Sequence, residues 1–363
     1  MADAKRARAW LIRIGLVLLG VILLCTAIAG VVMRNELRSL SSIRKVGDSG
    51  LLTMTYYGDY GFDDFLQVGA SNDDELVAFI IGRLLRGLPI HIDIDTTGGG
   101  CSVFVTRNAA GDVIMGRNFD FPVFSAPMHL ATNPDNGFAS VSTVNLIHLG
   151  FGEDNLPSGL GFGSFSALGA PYVPFDGMNE KGLAIALLAV PEAEPPFYED
   201  RVTLNGNAAI RLVLDQAETV AEAVELLSQY NIYFSVGIQL QFLIADASGS
   251  TAIVNFLDGQ VKVTQTDEPF QIATNFIPYN GLNIGEGACE FERYDRARYA
   301  IERNGGILGE TQAIDLLAEI GVVNDEGEST LRWSVVYNLT TLEGVIFANR
   351  STDNLYHFSI AHG

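Results

Sequence analysis

The sequence is poor in cysteine, histidine and positive charge. Three cysteines, Cys25, Cys101 and Cys289, occur in 363 residues, too few for a disulfide framework. No Cys-x-x-Cys or His-x-x-x-His spacing accompanies them, so they do not describe a zinc site. Cys25 lies in an apolar run, which leaves at most one disulfide, Cys101 to Cys289. Lys and Arg total 22 against 43 Asp and Glu, a formal net charge of −21. Such a surface repels a polyanion, so nucleic acid is excluded as a partner. A Gly-x-Ser-x-Gly nucleophile elbow is missing, and no Ser-His-Asp triad can be assigned. Internal repeats and low-complexity tracts are missing too. What is abundant is apolar: 48% hydrophobic and 18% charged residues support a sizeable packed core. The 38 glycines call for many turns.

One long hydrophobic run stands out. Lys5, Arg6, Arg8 and Arg13 precede residues 14–33, which carry no charge. At about 1.5 Å per helical residue such a run spans one hydrocarbon core. Residues 1–13 then read as a basic cytoplasmic tail and 14–33 as a transmembrane anchor, with the rest extracytoplasmic. A cleaved signal sequence is the competing reading, because Ala27-Ile28-Ala29 fits a small-residue cleavage site. Both readings export everything that follows.

Residues 34–100 read as a separate leading segment. Asn72, Asp73 and Asp74 open a helix in which Leu76, Phe79, Ile80, Leu84 and Leu85 recur at helical spacing. Pro89 ends it, and 90–95 alternates as a short strand before Thr96, Thr97 and three glycines. From Cys101 the pattern is rich in strands. Residues 102–107 and 113–115 flank a turn at 108–111, the pattern of a hairpin. Further strands are expected near 139–148, 183–189, 232–245, 252–256, 332–338 and 344–348. Helices are expected at 206–230, 292–304 and 311–320. The first should divide at Thr219, whose spacing from Glu222 is that of a capping box. Strands with grouped helices give an α+β domain.

The chemistry concentrates where the glycines end. The expected hairpin brings Arg117 and Asp120, in Gly116-Arg117-Asn118-Phe119-Asp120, beside Cys101. A neighbouring arginine stabilises a thiolate. A carboxylate there can hold a free α-amine, which at a pKa of about 7.7–8.0 is a base near neutrality. A cysteine with its own amine would be nucleophile and base in one residue. The bland alternative is a half-buried cysteine with an Arg–Asp pair on the surface.

These stretches resemble the choloylglycine hydrolase family of N-terminal-nucleophile hydrolases, which cleave linear amide bonds. Similar blocks follow in order: Asp176-Gly177-Met178-Asn179-Glu180-Lys181-Gly182-Leu183, then Ala273-Thr274-Asn275, Arg293-Tyr294 and Trp333-Ser334-Val335-Val336-Tyr337. The resemblance covers nearly all of 101–363 and implies a four-layer α-β-β-α sandwich. It implies that Cys101 attacks the amide carbonyl and that its freed amine is the base. Arg117 and Asp120 would flank thiolate and amine, and Arg293 would complete the charged cluster. Asn275 would donate its side-chain amide to the oxyanion, with a backbone N–H near Ala189 as second donor. Bile salt hydrolases carry asparagine at the position of Ala189, so bile-salt specificity is not carried over. No cofactor or metal is implied. Because 100 residues precede Cys101, a free amine requires cleavage of Gly100–Cys101. The acid ceramidase group resembles this arrangement, which makes autoproteolysis the expectation, with 34–100 retained as a small subunit on the large one. The expected partner is a small-molecule N-acyl amide.

Two other functions fit the same residues: an acyltransferase in which an amine intercepts the thioester, and a non-catalytic membrane-anchored binding protein. His91, Asp93 and Asp95 could share a strand face as metal ligands, but fit a solvated face better. Gly159, Gly161 and Gly163 lack the spacing of a nucleotide loop. Asn179 reads as a turn-shaping residue.

Overall fold

The computed structural model describes residues 2–84, 100–279, 282–285, 288–324 and 326–360. Among them, strands build a nine-stranded and a six-stranded sheet. The larger runs β1 (Arg44–Val46), β2 (Leu51–Thr55), β5 (Pro127–Thr132), β6 (Ser140–Asn145), β7 (Pro174–Asn179), β8 (Ala184–Ala189), β11 (Leu240–Ala245), β12 (Thr251–Leu257) and β13 (Gln260–Thr264). The smaller runs β14 (Gln271–Ala273), β3 (Gly100–Arg107), β4 (Val113–Asp120), β17 (Leu331–Asn338), β18 (Glu343–Ala348) and β19 (Tyr356–Ser359). Two short pairs complete the set: β9 (Thr203–Asn205) with β10 (Asn231–Tyr233), and β15 (Ile277–Tyr279) with β16 (Leu282–Ile284).

The layering follows from strand alternation. On β3, Val103 and Val105 point into the core shared by the two sheets, while Phe104 points the other way. There Phe104 meets Ala297 and Ile301 of helix α7 (Ala288–Arg303) and Leu317 of α8 (Glu310–Ile320). Gly116 is opposite Phe104, and a Cβ at Gly116 would run into the Phe104 ring. On the far side, α5 (Gly206–Gln216) covers β7 and β8, and α6 (Val220–Ser228) covers β11 and β12. The expected α+β architecture with helices outside two packed sheets is what the chain adopts.

The helix at 206–230 divides as expected: Thr219 Oγ1 accepts the Glu222 N–H at 3.2 Å and caps α6. Asn72 caps α4 (Asp73–Arg83), whose Leu76 and Ile80 are buried. The strand expected over 232–245 is interrupted by a 3₁₀ turn at Ser235–Gly237, where Gly237 takes φ +75°. Asn179 shapes a turn: its Oδ1 accepts the N–H groups of Lys181 and Leu183. The expected strand 90–95, with His91, Asp93 and Asp95, lies outside the described residues, and no metal-binding cluster occurs among the described ones.

The leading segment is part of the fold. Strand β2 adds to the larger sheet parallel to β5, and Leu40, Tyr60, Phe65, Leu76 and Ile80 join the common core. Helix α2 (Arg34–Ser41) and α3 (Phe62–Val68) belong to this segment. Ahead of them α1 runs Ala2–Val32. Its described large apolar side chains from Trp10 to Val32 are exposed. Among the described residues no helix is long and apolar enough to cross a membrane, so the anchor expected over 14–33 finds no support here. The side chains at 22, 25–27 and 29 lie outside the described ones.

Candidate active site

Cys101 is the second residue of β3, and the register of the β3–β4 hairpin decides its neighbours. It lies opposite Phe119, with Gly100 opposite Asp120 and Val103 opposite Arg117. Arg117 therefore shares the inner face with Cys101, and its Nη2 comes within 4.0 Å of Sγ. Cys101 is a free thiol, 2% exposed, and the side chain of Cys289 lies outside the described ones. Arg117 and Asp120 are fully buried, which rules out the surface Arg–Asp pair.

Strand β14 pairs antiparallel with β3 through Ala273 and Val103, and two residues on Asn275 reaches Cys101. Gln241 Nε2 fixes this segment by donating to the carbonyls of Thr274 at 2.8 Å and Phe276 at 3.0 Å. Asn275 Oδ1 accepts the Cys101 backbone N–H at 2.7 Å and Arg293 Nη2 at 2.7 Å. Two donors on one atom assign it as the oxygen. Asn275 Nδ2 donates one hydrogen to the Ala189 carbonyl at 2.7 Å, which leaves its second hydrogen for another acceptor. Arg293, from α7, also donates through Nη1 to the Cys101 carbonyl at 2.8 Å and Ser102 Oγ at 2.9 Å.

The other wall is β8. Its pairing with β7 ends at Ala186, so the backbone beyond faces the site. The Leu187 carbonyl accepts Arg117 Nη2 at 3.3 Å, and the Ala189 N–H faces the Cys101 sulfur. Arg117 Nε lies 2.8 Å from Asp176 Oδ2, both side chains having no exposure. The N–H is not aligned on that oxygen, so this is an ion-pair contact more than a directed hydrogen bond. Asp176 also accepts Trp333 Nε1 at 3.0 Å and Tyr337 OH at 2.6 Å.

Burial pushes the Cys101 thiol above its ordinary range, against the pull of Arg117, the Ala189 N–H and Arg293. In the uncut chain the sulfur is therefore a thiol at neutral pH. Burial raises the Asp120 carboxyl to about 6, opposed by Arg293, the Val322 N–H and Arg117. Asp120 Oδ1 accepts that N–H at 2.7 Å, whereas Oδ2 has no partner among the described residues. A pocket opens beside the sulfur, walled by Phe119, Phe121, Phe175, Leu187, Ile238 and Leu240.

The structure thus brings together all six residues expected at the site: Cys101, Arg117, Asp120, Ala189, Asn275 and Arg293. Sequence reasoning missed Asp176, Trp333 and Tyr337 as supports of Arg117, although all three stand in quoted blocks. It also missed His148 in the pocket wall, a lone histidine with no motif around it.

Residues 101–283, half of the chain, match the linear amide C–N hydrolases, choloylglycine hydrolase family. A penicillin V acylase from Pectobacterium atrosepticum is 33% identical over 111 residues, covering 28% of this chain and 29% of that protein. The chain thus matches less than a third of the length of this curated relative. Among solved structures, two variants of conjugated bile acid hydrolase from Clostridium perfringens superpose at TM-score 0.51 with 14% identity. They cover 71% and 72% of this chain and 92% of each of those chains. At that identity the likeness is one of fold.

Proposed function

Because the chain belongs to the choloylglycine hydrolase family of linear amide C–N hydrolases, we propose that it hydrolyses the amide of a small N-acyl substrate, with Cys101 as nucleophile after self-cleavage at Gly100–Cys101. In the self-cleavage the thiol adds to the Gly100 carbonyl carbon, the peptide nitrogen takes the thiol proton and leaves as the Cys101 amine, and water hydrolyses the thioester. Gly100 suits this step sterically: a Cβ there would meet Val322 Cγ2 at 3.1 Å and Asp120 Cβ at 3.3 Å.

In turnover the Cys101 amine takes the thiol proton as sulfur attacks the substrate carbonyl. The same proton goes to the departing amine, and water activated by the α-amine releases the acid. The Ala189 N–H and the second hydrogen of Asn275 Nδ2 would hold the oxyanion, a donor of this kind being worth about 3–4 kcal/mol in the transition state. The observation that carries this reading is Asn275 Oδ1 on the Cys101 nitrogen at 2.7 Å, itself fixed by Arg293. That acceptor holds the nitrogen beside its own sulfur before and after the bond is cut.

The apolar walls suit an uncharged, hydrophobic acyl group, and the relative named penicillin V acylase makes aryl-acyl amides a first class to try. Residues 34–100 would remain docked as a small subunit, in keeping with the share of the core that Tyr60, Phe65 and Leu76 form. We further propose an extracytoplasmic location, on the basic residues that precede 14–33; alkaline extraction of membranes that left the protein wholly in the supernatant would remove the tether. The activity is tested by amine release from N-acyl 4-nitroanilides and by the mass of the acylated Cys101 peptide in an acid-quenched reaction. Wild type should give both, and Cys101→Ala neither. Equal amine release by Cys101→Ala would sink the reading.

A further inference from the structure

Most side-chain polar groups that line the acyl pocket are already engaged with the protein. Asn205 Oδ1 caps α5 on the Ala208 N–H at 2.7 Å, and its Nδ2 donates to Ser235 Oγ at 3.2 Å. Ser235 Oγ donates in turn to Asp73 Oδ1 at 2.7 Å. Asn207 Nδ2 donates to the Pro174 carbonyl at 2.9 Å. His148 is different. It lines the same pocket as Cys101, is 4% exposed, and makes no hydrogen bond to any described residue. One ring face lies against Phe175, centroids 5.1 Å apart.

His148 sits in a 3₁₀ turn, Leu146–Leu149, whose Leu146 and Leu149 are buried as well. Asn145 caps the turn through the Ile147 N–H, and Ser125 Oγ donates to Asn145 Oδ1 at 2.8 Å. Burial lowers the imidazole pKa to about 4, so near neutrality the ring carries no charge and offers one N–H donor and one nitrogen acceptor. A ligand oxygen bound in the pocket can accept that N–H. His148 has no bond to Cys101, so it is no base for the thiol.

We propose that His148 is a specificity residue: it reads one uncharged oxygen, an ether, hydroxyl or ketone, on an otherwise apolar acyl group bound beside Cys101. The inference rests on the amidase reading above. A pure hydrocarbon acyl chain leaves His148 unmet; an oxygenated chain of the same shape does not. A single neutral hydrogen bond corresponds to a preference of about 3- to 10-fold in kcat/KM.

The test uses the processed full chain and a series of arylalkanoyl 4-nitroanilides in which one methylene at a time is replaced by an ether oxygen. Phenoxyacetyl against 3-phenylpropanoyl is the shortest pair. Wild type should favour the ether over its hydrocarbon twin at one position, His148→Phe should bring that ratio to about 1, and His148→Gln, which keeps a donor and an acceptor, should retain part of it. A wild-type ratio near 1 at every position, or a preference that survives in His148→Phe, overturns the proposal. Failure of the underlying reading looks different: then wild type releases nitroaniline from no member of the series, hydrocarbon or ether. If His148→Phe does not fold, the His148→Gln ratio and the wild-type series still decide, since the proposal requires a preference in both.

Discussion

At the scale of single residues the site depends on how a fully buried guanidinium is held. Arg117 has no exposure and stacks near Phe119 and Trp333, with its charge balanced by Asp176. Trp333 and Tyr337 complete the carboxylate's hydrogen bonds. Removing one member of a buried pair leaves the other uncompensated, at a cost of about 3–5 kcal/mol. Asp176→Asn should therefore lose stability by that order in urea unfolding, and Tyr337→Phe by about 1–2 kcal/mol. An Asp176→Asn variant as stable as wild type would show that Arg117 does not need its counter-charge. A second buried carboxylate allows a pH prediction. Asp215, bonded by Tyr60 and Arg211, has its pKa raised by burial from 3.8 to about 6. The folded state thus holds this proton more tightly than the unfolded one. Its contribution to stability is complete below about pH 4 and is lost as pH rises through about 6. Asp215→Asn lacks that term, so the wild-type advantage in urea midpoint should be larger at pH 4.5 than at pH 7. A gap that widens toward pH 7 would contradict the raised pKa.

At the scale of elements, the leading segment and the catalytic sheets are one packing unit. Phe62 and Phe65 of α3 surround Tyr172, whose hydroxyl donates to the Tyr60 carbonyl at 2.7 Å. The Ala70 N–H donates to the Thr203 carbonyl, and Asn349 Nδ2 to the Ser49 carbonyl. Phe65→Ala should cost about 3–5 kcal/mol, as for large core deletions generally, and under the proposed cleavage should weaken retention of residues 34–100 in size-exclusion chromatography. Free exchange of the proposed 34–100 fragment in wild type without denaturant would contradict the packing. The sequence revealed those elements whose signals are local: Asn72 at the start of α4, Thr219 between α5 and α6, and the hairpin that sets Arg117 beside Cys101. It hid those fixed by distant partners. Strand β2 is short and pairs with β5 across a long stretch of chain. Strand β7 reads as a motif, Asp176-Gly177-Met178-Asn179, because glycine and two polar residues mask its burial on both faces. The 3₁₀ stretch Phe162–Tyr172 is concealed by its glycines and Pro171. The site residues were legible through chemistry placed in order along the chain. His148 was not, because only the folded wall shows that it lacks a partner.

At the scale of the molecule, an acidic exterior encloses a site built from arginines, an asparagine and apolar walls. Beside the sulfur, Asp120 is set against Arg293 and Arg117, and Asp176 is paired with Arg117. Under the proposed function the two sheets supply opposite halves of the chemistry: β3 and β4 would carry the nucleophile and its arginine, and β8 the backbone donor. The central claim is that Cys101 becomes an N-terminal nucleophile by its own action. Intact mass and N-terminal sequencing of purified residues 34–363, beside Cys101→Ala, test it most directly. The account predicts a wild-type fragment that begins Cys101-Ser102-Val103 and a variant that stays whole. Two uncut chains after acidification and long incubation would contradict it, because no α-amine would then exist beside the thiol.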